Sequence, residues 1–262
     1  MLLKSIRRGD SLIKIDTHIH SHYSVDSNIS IESICIKAIE KGMKVICITD
    51  HVDWDRRDAG FEFYNSKKYF EELNFCKKHY GNKLEILSGI EFSEPHKHKK
   101  ELSKLSKLNY DMIMGSMHWL DEGFIGDSEV VDVYTVEEIE LKYYKLVLEA
   151  VKFGGFNTLG HLDLPKRYLH KESQGNQNLI DKILKELINQ NIALEINTSS
   201  IRKGYFEYMP SETILDRYIE LGGSKLTFGS DAHNVEDILN SAEKIPLKFQ
   251  KFIGYYKKGQ FI

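Results

Sequence analysis

With 262 residues, 41% of them hydrophobic, the chain can fill one large core, and barrel folds of this length commonly remain a single domain. Its 36 Lys and Arg against 39 Asp and Glu give a net charge of -3, which removes the global electrostatic footprint of a nucleic-acid binder. No stretch approaches the ~20 apolar residues needed to cross a bilayer, and Met1 to Leu12 lacks the apolar run and cleavage site of a secretory signal.

Short β-rich apolar runs alternate with segments of helical period, the pattern of repeated βα units. The expected strands are Leu12 to Asp16, Val45 to Thr49, Leu84 to Ile90, Met112 to Ser116, Thr158 to Gly160, Ile192 to Ile196 and Leu226 to Gly229. Between the first two, Ser30 to Lys41 opens with a capping side chain and stops at Gly42. His96, Lys97, His98, Lys99 and Lys100 open a helix whose apolar stripe is Leu102, Leu105 and Leu108, so these charges read as its solvated face. Thr135 and Glu138 form a capping box for a helix running to Phe153. Pro210 and Ser211 start another, which Gly222 and Gly223 end. The order predicts an α/β fold, a distorted (βα)7 TIM-like barrel with one unit fewer than usual; a doubly wound open sheet begins with the same local pattern. No repeat or Pro-rich linker divides residues 1–262. Cys35, Cys47 and Cys76 form no closely spaced pair, which fits a reducing cytoplasm.

Most of the 11 histidines stand where an expected strand ends: His18 and His20, His51, His118, His161 and His233, with Glu91 and Asp231 in equivalent places. A barrel opens all these ends on one face. A lone strand-end histidine is usually a hydrogen-bonded polar residue, but six with two carboxylates on one side point to metal, since imidazole and carboxylate suit zinc, iron or manganese. The count exceeds what one ion takes, so two or three divalent ions are expected, with a carboxylate bridging.

Four ordered motifs then carry a resemblance. Asp16-Thr17-His18-Ile19-His20, Ile48-Thr49-Asp50-His51, Gly115-Ser116-Met117-His118 with Glu91 before it, and Gly229-Ser230-Asp231-Ala232-His233 resemble the polymerase and histidinol phosphatase (PHP) family. The resemblance implies one metal on His18, His20, Glu91 and Asp231, a second bridged by Glu91 and held by His118 and His161, and a third on His51, His233 and Asp26. His22 is an extra histidine in the same loop. Asp16, Asp50 and Asp163 neighbour these residues and are candidates to orient them.

The segments Gly160 to Tyr168 and Glu195 to Gly204 resemble the free-standing histidinol phosphatases of that family. Arg167 and Arg202 follow strand ends within these segments, and a guanidinium fork matches phosphate oxygens bidentately. The implied reaction is hydrolysis of L-histidinol phosphate, a small phosphate monoester, by a metal-activated hydroxide, with Asp231 or His233 protonating the departing alcohol and Glu91 bridging. Nucleotides, oligonucleotide ends or another small monoester form the alternative substrates. Deaminases and lactonases also use barrel histidines and zinc, but the paired arginines favour phosphate. A metal-binding module without turnover is the non-enzymatic alternative. Trp119 and the stretch to Asp127 are placed to cover the cavity, and Tyr205 and Tyr208 to stack on an imidazole.

Overall fold

Seven parallel strands dominate the computed structural model, which describes residues 13–171 and 175–262. They are β1 (Ile15–Ile19), β2 (Val45–Val52), β3 (Glu85–Ser93), β4 (Met112–Ser116), β5 (Thr158–Leu159), β6 (Ala193–Asn197) and β7 (Leu226–Gly229). They pair in chain order. A parallel bridge from Ile19 to Ala232, just past β7, draws the first strand against the last, and the Thr17 hydroxyl donates to the Phe228 carbonyl at 3.0 Å. The sheet is thus a nearly closed, distorted barrel rather than an open doubly wound sheet.

Helices follow the strands: α1 (Ile31–Glu40), α2 (Ser66–Tyr80), α3 (Lys99–Leu105), α4 (Ser128–Val131), α5 (Val136–Phe153), α6 (Pro165–Leu169), α7 (Gln177–Asn189), α8 (Ser199–Arg202) and α9 (Glu212–Glu220). The expected caps are present. The Ser30 side chain accepts from Ser33 N, Gly42 takes the left-handed φ of 65° that ends α1, and Thr135 with Glu138 forms the full capping box of α5. The stripe on α3 is shorter than expected. Leu102 is buried, but Leu108 is 42% exposed, because Ser106–Leu108 tightens into a 3-10 turn that rotates it off the apolar face. Among the described residues no helix is long and apolar enough to cross a membrane.

Three strands extend further than apolar character alone indicates. Leu12, the expected start of the first strand, and Met1 to Leu12 as a whole lie outside the described residues. The first strand runs on to Ile19, the second to Val52 and the third to Ser93, so His18, His51 and Glu91 sit inside strands rather than after them. The reason is the barrel interior. Side chains alternate along a strand, and on β2 the inward row Val45, Cys47, Thr49, His51 begins apolar and ends polar, as does Leu87, Gly89, Glu91 on β3. Val45, Cys47, Leu87, Met112, Met114 and Ala193 pack as one apolar plug at the N-terminal end. The polar groups share the other end, where ladder pairs such as His51 with Glu91 continue undisturbed.

Candidate metal centre

Glu91, 1% exposed, is the hub. Its Oε2 lies 3.0 Å from His18 Nε2, 3.4 Å from His20 Nε2 and 3.2 Å from His51 Nδ1. Its Oε1 faces a second pair, His161 Nε2 at 2.8 Å and His118 Nε2 at 3.4 Å. Each oxygen therefore serves a different group of imidazoles, the geometry of a bridging carboxylate. Asp231 Oδ1 closes the first group at 3.3 Å from His20 Nε2 and 3.7 Å from His18 Nε2. Asp26 and His233 stand at the solvent edge: Asp26 Oδ2 is 3.1 Å from His233 Nε2 and 3.8 Å from His51 Nε2, with the Asp26 side chain 52% exposed. All nine residues singled out as ligands converge.

The local backbone explains the convergence. Pairing of β1 with β2 shifts register between Asp16 and Ile19, the stretch that carries His18, and His18 and His20, two residues apart, face the interior together. Asp16 clamps the two ends of the chain there, its carboxylate accepting from Ser230 N at 3.0 Å and Leu239 N at 2.9 Å. Asp231 and His161 take positive φ, 53° and 23°, a sparsely populated region held only where the surroundings fix it.

Three buried carboxylates orient the imidazoles. Glu195 Oε1 meets His18 Nδ1 at 2.6 Å. Asp50 accepts from the Ser24 hydroxyl at 2.9 Å, and Ser24 Oγ in turn meets His20 Nδ1 at 3.1 Å. Asp53 accepts from Ser93, whose Oγ is 3.0 Å from His118 Nδ1. In each case the Nδ1 side is occupied and Nε2 is turned to the centre, as in carboxylate–histidine–metal triads. Of these, only Asp50 was expected from sequence. Asp163 pairs with Lys166 Nζ at 2.8 Å and accepts from Ser211 N. Glu195 carried one signal: a charge inside the apolar run Leu194 to Ile196.

Proton affinities within the cluster are pushed apart. Burial alone would raise the Glu91 carboxyl, but His18 and His51 beside it hold it well below the usual range. Asp231 is likewise held low against burial, by His18, His20 and Arg167. Burial followed by the neighbouring His233 and His51 drives His20 far down, whereas Glu195 and Glu91 outweigh burial at His18 and raise it. A neutral His20 then points Nε2, which is buried and has no hydrogen-bond partner, at two carboxylate oxygens. Lone pair facing lone pair is repulsive unless a cation lies between. The donor set fits that cation: ligand atoms of His18, His20 and Asp231 lie within 4.8 Å of one another, as do those of His51, Glu91 and His118, and of His20, His51 and His233. Imidazole and carboxylate are donors for divalent ions such as zinc.

Above this cluster opens a cavity of about 420 Å³ with Arg167, Arg202 and Lys203 on one wall and Phe124, Tyr168 and Asp58 among the others. Arg167 Nη1 donates to Asp231 Oδ2 at 2.7 Å and to Ser199 Oγ at 3.1 Å. Arg202 donates to the carbonyls of Ser230 and Asp231 at 2.9 and 2.7 Å. Both arginines are thus anchored on the loop that carries Asp231. Trp119 lies behind the wall instead of over the cavity, donating to Asp58 Oδ2 at 2.7 Å beneath the Arg57 guanidinium; Phe124 is the residue of that stretch that faces in. Tyr205 and Tyr208 do not line the cavity, since one packs over Lys166 and the other donates to Glu212. Tyr168 is the tyrosine that lines it. His22 pairs with Glu72 at 3.1 Å, away from the centre. His96 is less solvated than a charged helix face implies, both ring nitrogens being buried.

Known proteins resemble this chain in sequence and in fold. A histidinol-phosphatase of Lactococcus lactis is 30% identical over 233 residues, covering 84% of each chain. The protein named "Probable histidinol-phosphatase" of Thermotoga maritima is 31% identical over 238 residues, covering 91% of this chain and 92% of its own. The crystal structure of Lactococcus lactis histidinol phosphate phosphatase complexed with zinc, L-histidinol and phosphate superposes with a TM-score of 0.81 at 26% identity, covering 95% of this chain and 98% of that one. The family model for the PHP domain matches residues 16–199, a span holding every convergent residue except Asp231 and His233, which the barrel closure brings in. The chain belongs to the PHP-domain family.

Proposed function

We propose that residues 1–262 form one domain that hydrolyses L-histidinol phosphate to L-histidinol and phosphate in the cytoplasm. The observation that carries this reading is Glu91, whose two oxygens serve two separate imidazole groups beneath a pair of arginines. His18, His20, Glu91 and Asp231 would hold one divalent ion, Glu91, His118 and His161 a second, and His51, His233 and Asp26 a third, with zinc, manganese or iron as occupants. Such ions supply Lewis acidity toward a phosphoryl oxygen and a nucleophilic water at neutral pH.

The chain's own groups do the rest. Arg167 and Arg202 bind the phosphate oxygens and fix the ester above Glu91; anchored on Asp231 and the backbone, they lose little freedom when substrate arrives. Asp231 or His233, both lining the cavity, would deliver the proton to the departing alcohol oxygen. Phe124 and Tyr168, which also line the cavity, exclude water from it. The relatives' names support the choice of histidinol phosphate, as does the length shared with them.

The test is phosphate release by the metal-loaded protein from L-histidinol phosphate, nucleoside monophosphates and a short oligonucleotide. A kcat/KM higher by several powers of ten for histidinol phosphate is expected. Equal slow rates on all three, or fast cleavage of nucleotides alone, would overturn the substrate assignment.

A further inference from the structure

Glu195 lies on β6, one strand removed from β7 and two from β1, yet its carboxylate reaches across the interior to both sides of the cluster. Oε1 meets His18 Nδ1 at 2.6 Å; Oε2 accepts from His161 N at 2.7 Å and from Asn197 Nδ2 at 3.1 Å. Both Glu195 and His18 are fully buried. A carboxylate oxygen that already accepts two N–H groups leaves its partner oxygen as an acceptor too, which places the proton on His18 Nδ1 and turns the His18 Nε2 lone pair toward Glu91 and Asp231. The bond to His161 N holds a residue whose φ of 23° is strained.

The path of this carboxylate is built into the chain. A Cβ on Gly229 would lie 2.1 Å from Glu195 Oε1 and 2.5 Å from His18 Cβ. A glycine there leaves room for the side chain to pass.

We infer that Glu195 is a positioning residue that locks His18 and the His161 backbone into one geometry, so that the two halves of the metal centre keep a fixed separation. This rests on the metal reading above. Glutamine has the shape of glutamate but one acceptor and one donor in place of two acceptors, so accepting from His161 N turns its NH2 toward His18 Nδ1 and puts the imidazole proton on Nε2, the atom that faces Glu91 and Asp231.

The experiment is zinc binding by wild type and Glu195→Gln in competition with a chromophoric chelator. Loss of such an orienting partner weakens metal about 10- to 100-fold, and that loss is expected here, with turnover partly recovered at saturating zinc. Equal affinities in the two proteins would overturn the role of Glu195 alone, whereas a wild type that takes up no zinc would overturn the metal reading and this role with it. A readout independent of the variant's folding is the 15N spectrum of zinc-loaded wild type. A proton on His18 Nδ1 with zinc on Nε2 supports the assignment; zinc on Nδ1 overturns it.

Discussion

Replacing Glu91 by Gln should separate the two halves of the centre. Five imidazole nitrogens lie 2.8 to 3.4 Å from the two Glu91 oxygens, three on Oε2 and two on Oε1. An amide of the same shape keeps one oxygen and turns an NH2 donor toward the other group, while removing the negative charge that both would share. One group then loses its bridging ligand. An ion acting on a phosphoryl oxygen contributes several kcal/mol to the transition state. Losing about 4 kcal/mol corresponds to roughly three powers of ten in kcat/KM. Elemental analysis after gel filtration should find at least one ion fewer per chain, and a phosphate-release assay should find the rate loss. A variant that keeps the wild-type metal content and a rate within tenfold would refute the bridging role.

Four further outcomes follow from the same structure. Arg167→Ala should lower kcat/KM about 10²- to 10³-fold, the usual effect of removing one donor to a developing oxyanion, and Lys should restore little of it because the fork to Asp231, Ser199 and Tyr168 is lost. Gly229→Ala puts its Cβ against Glu195 and His18 and should cost ~1–3 kcal/mol, read as a melting temperature several degrees lower with reduced zinc uptake. Lys166→Ala removes a buried cation from Asp163 and Glu207 and should cost ~3–5 kcal/mol in denaturant unfolding. His96 is held down at about 4 by burial first and by Lys97 and Lys99 second. The unfolded chain therefore takes up this proton near 6.5 while the folded one does not, and stability falls as pH drops through that window. His96→Gln should flatten the fall by ~1 kcal/mol, discounted for solvent screening, in urea titrations between these pH values.

The convergence of the nine candidate residues was legible because chemistry recurs at fixed places. Histidines and carboxylates that follow apolar runs converge in any barrel, and the order of the four motifs removed the remaining ambiguity. The helix ends were equally plain, as at Ser30, Thr135 and Gly42, because caps are local. Strand ends were less so. His18, His51 and Glu91 are polar side chains in regular ladder positions, which an apolar count reads as the strand's end. Least legible were the orienting groups: Ser93, Asp53 and Glu195 act through partners far away in sequence, and Ser24, close to His20 in the chain, ties it to the distant Asp50. The roles of Trp119, Tyr205 and Tyr208 also depended on which way a loop turned. Asp58 draws Trp119 behind the cavity wall, which no spacing encodes.

The most direct test of the metal centre is anomalous diffraction from crystals of the zinc-loaded protein with phosphate. Separate zinc peaks are expected beside Oε1 and Oε2 of Glu91, with phosphate beside Arg167 and Arg202. Peaks confined to surface residues, with none at Glu91, would contradict this.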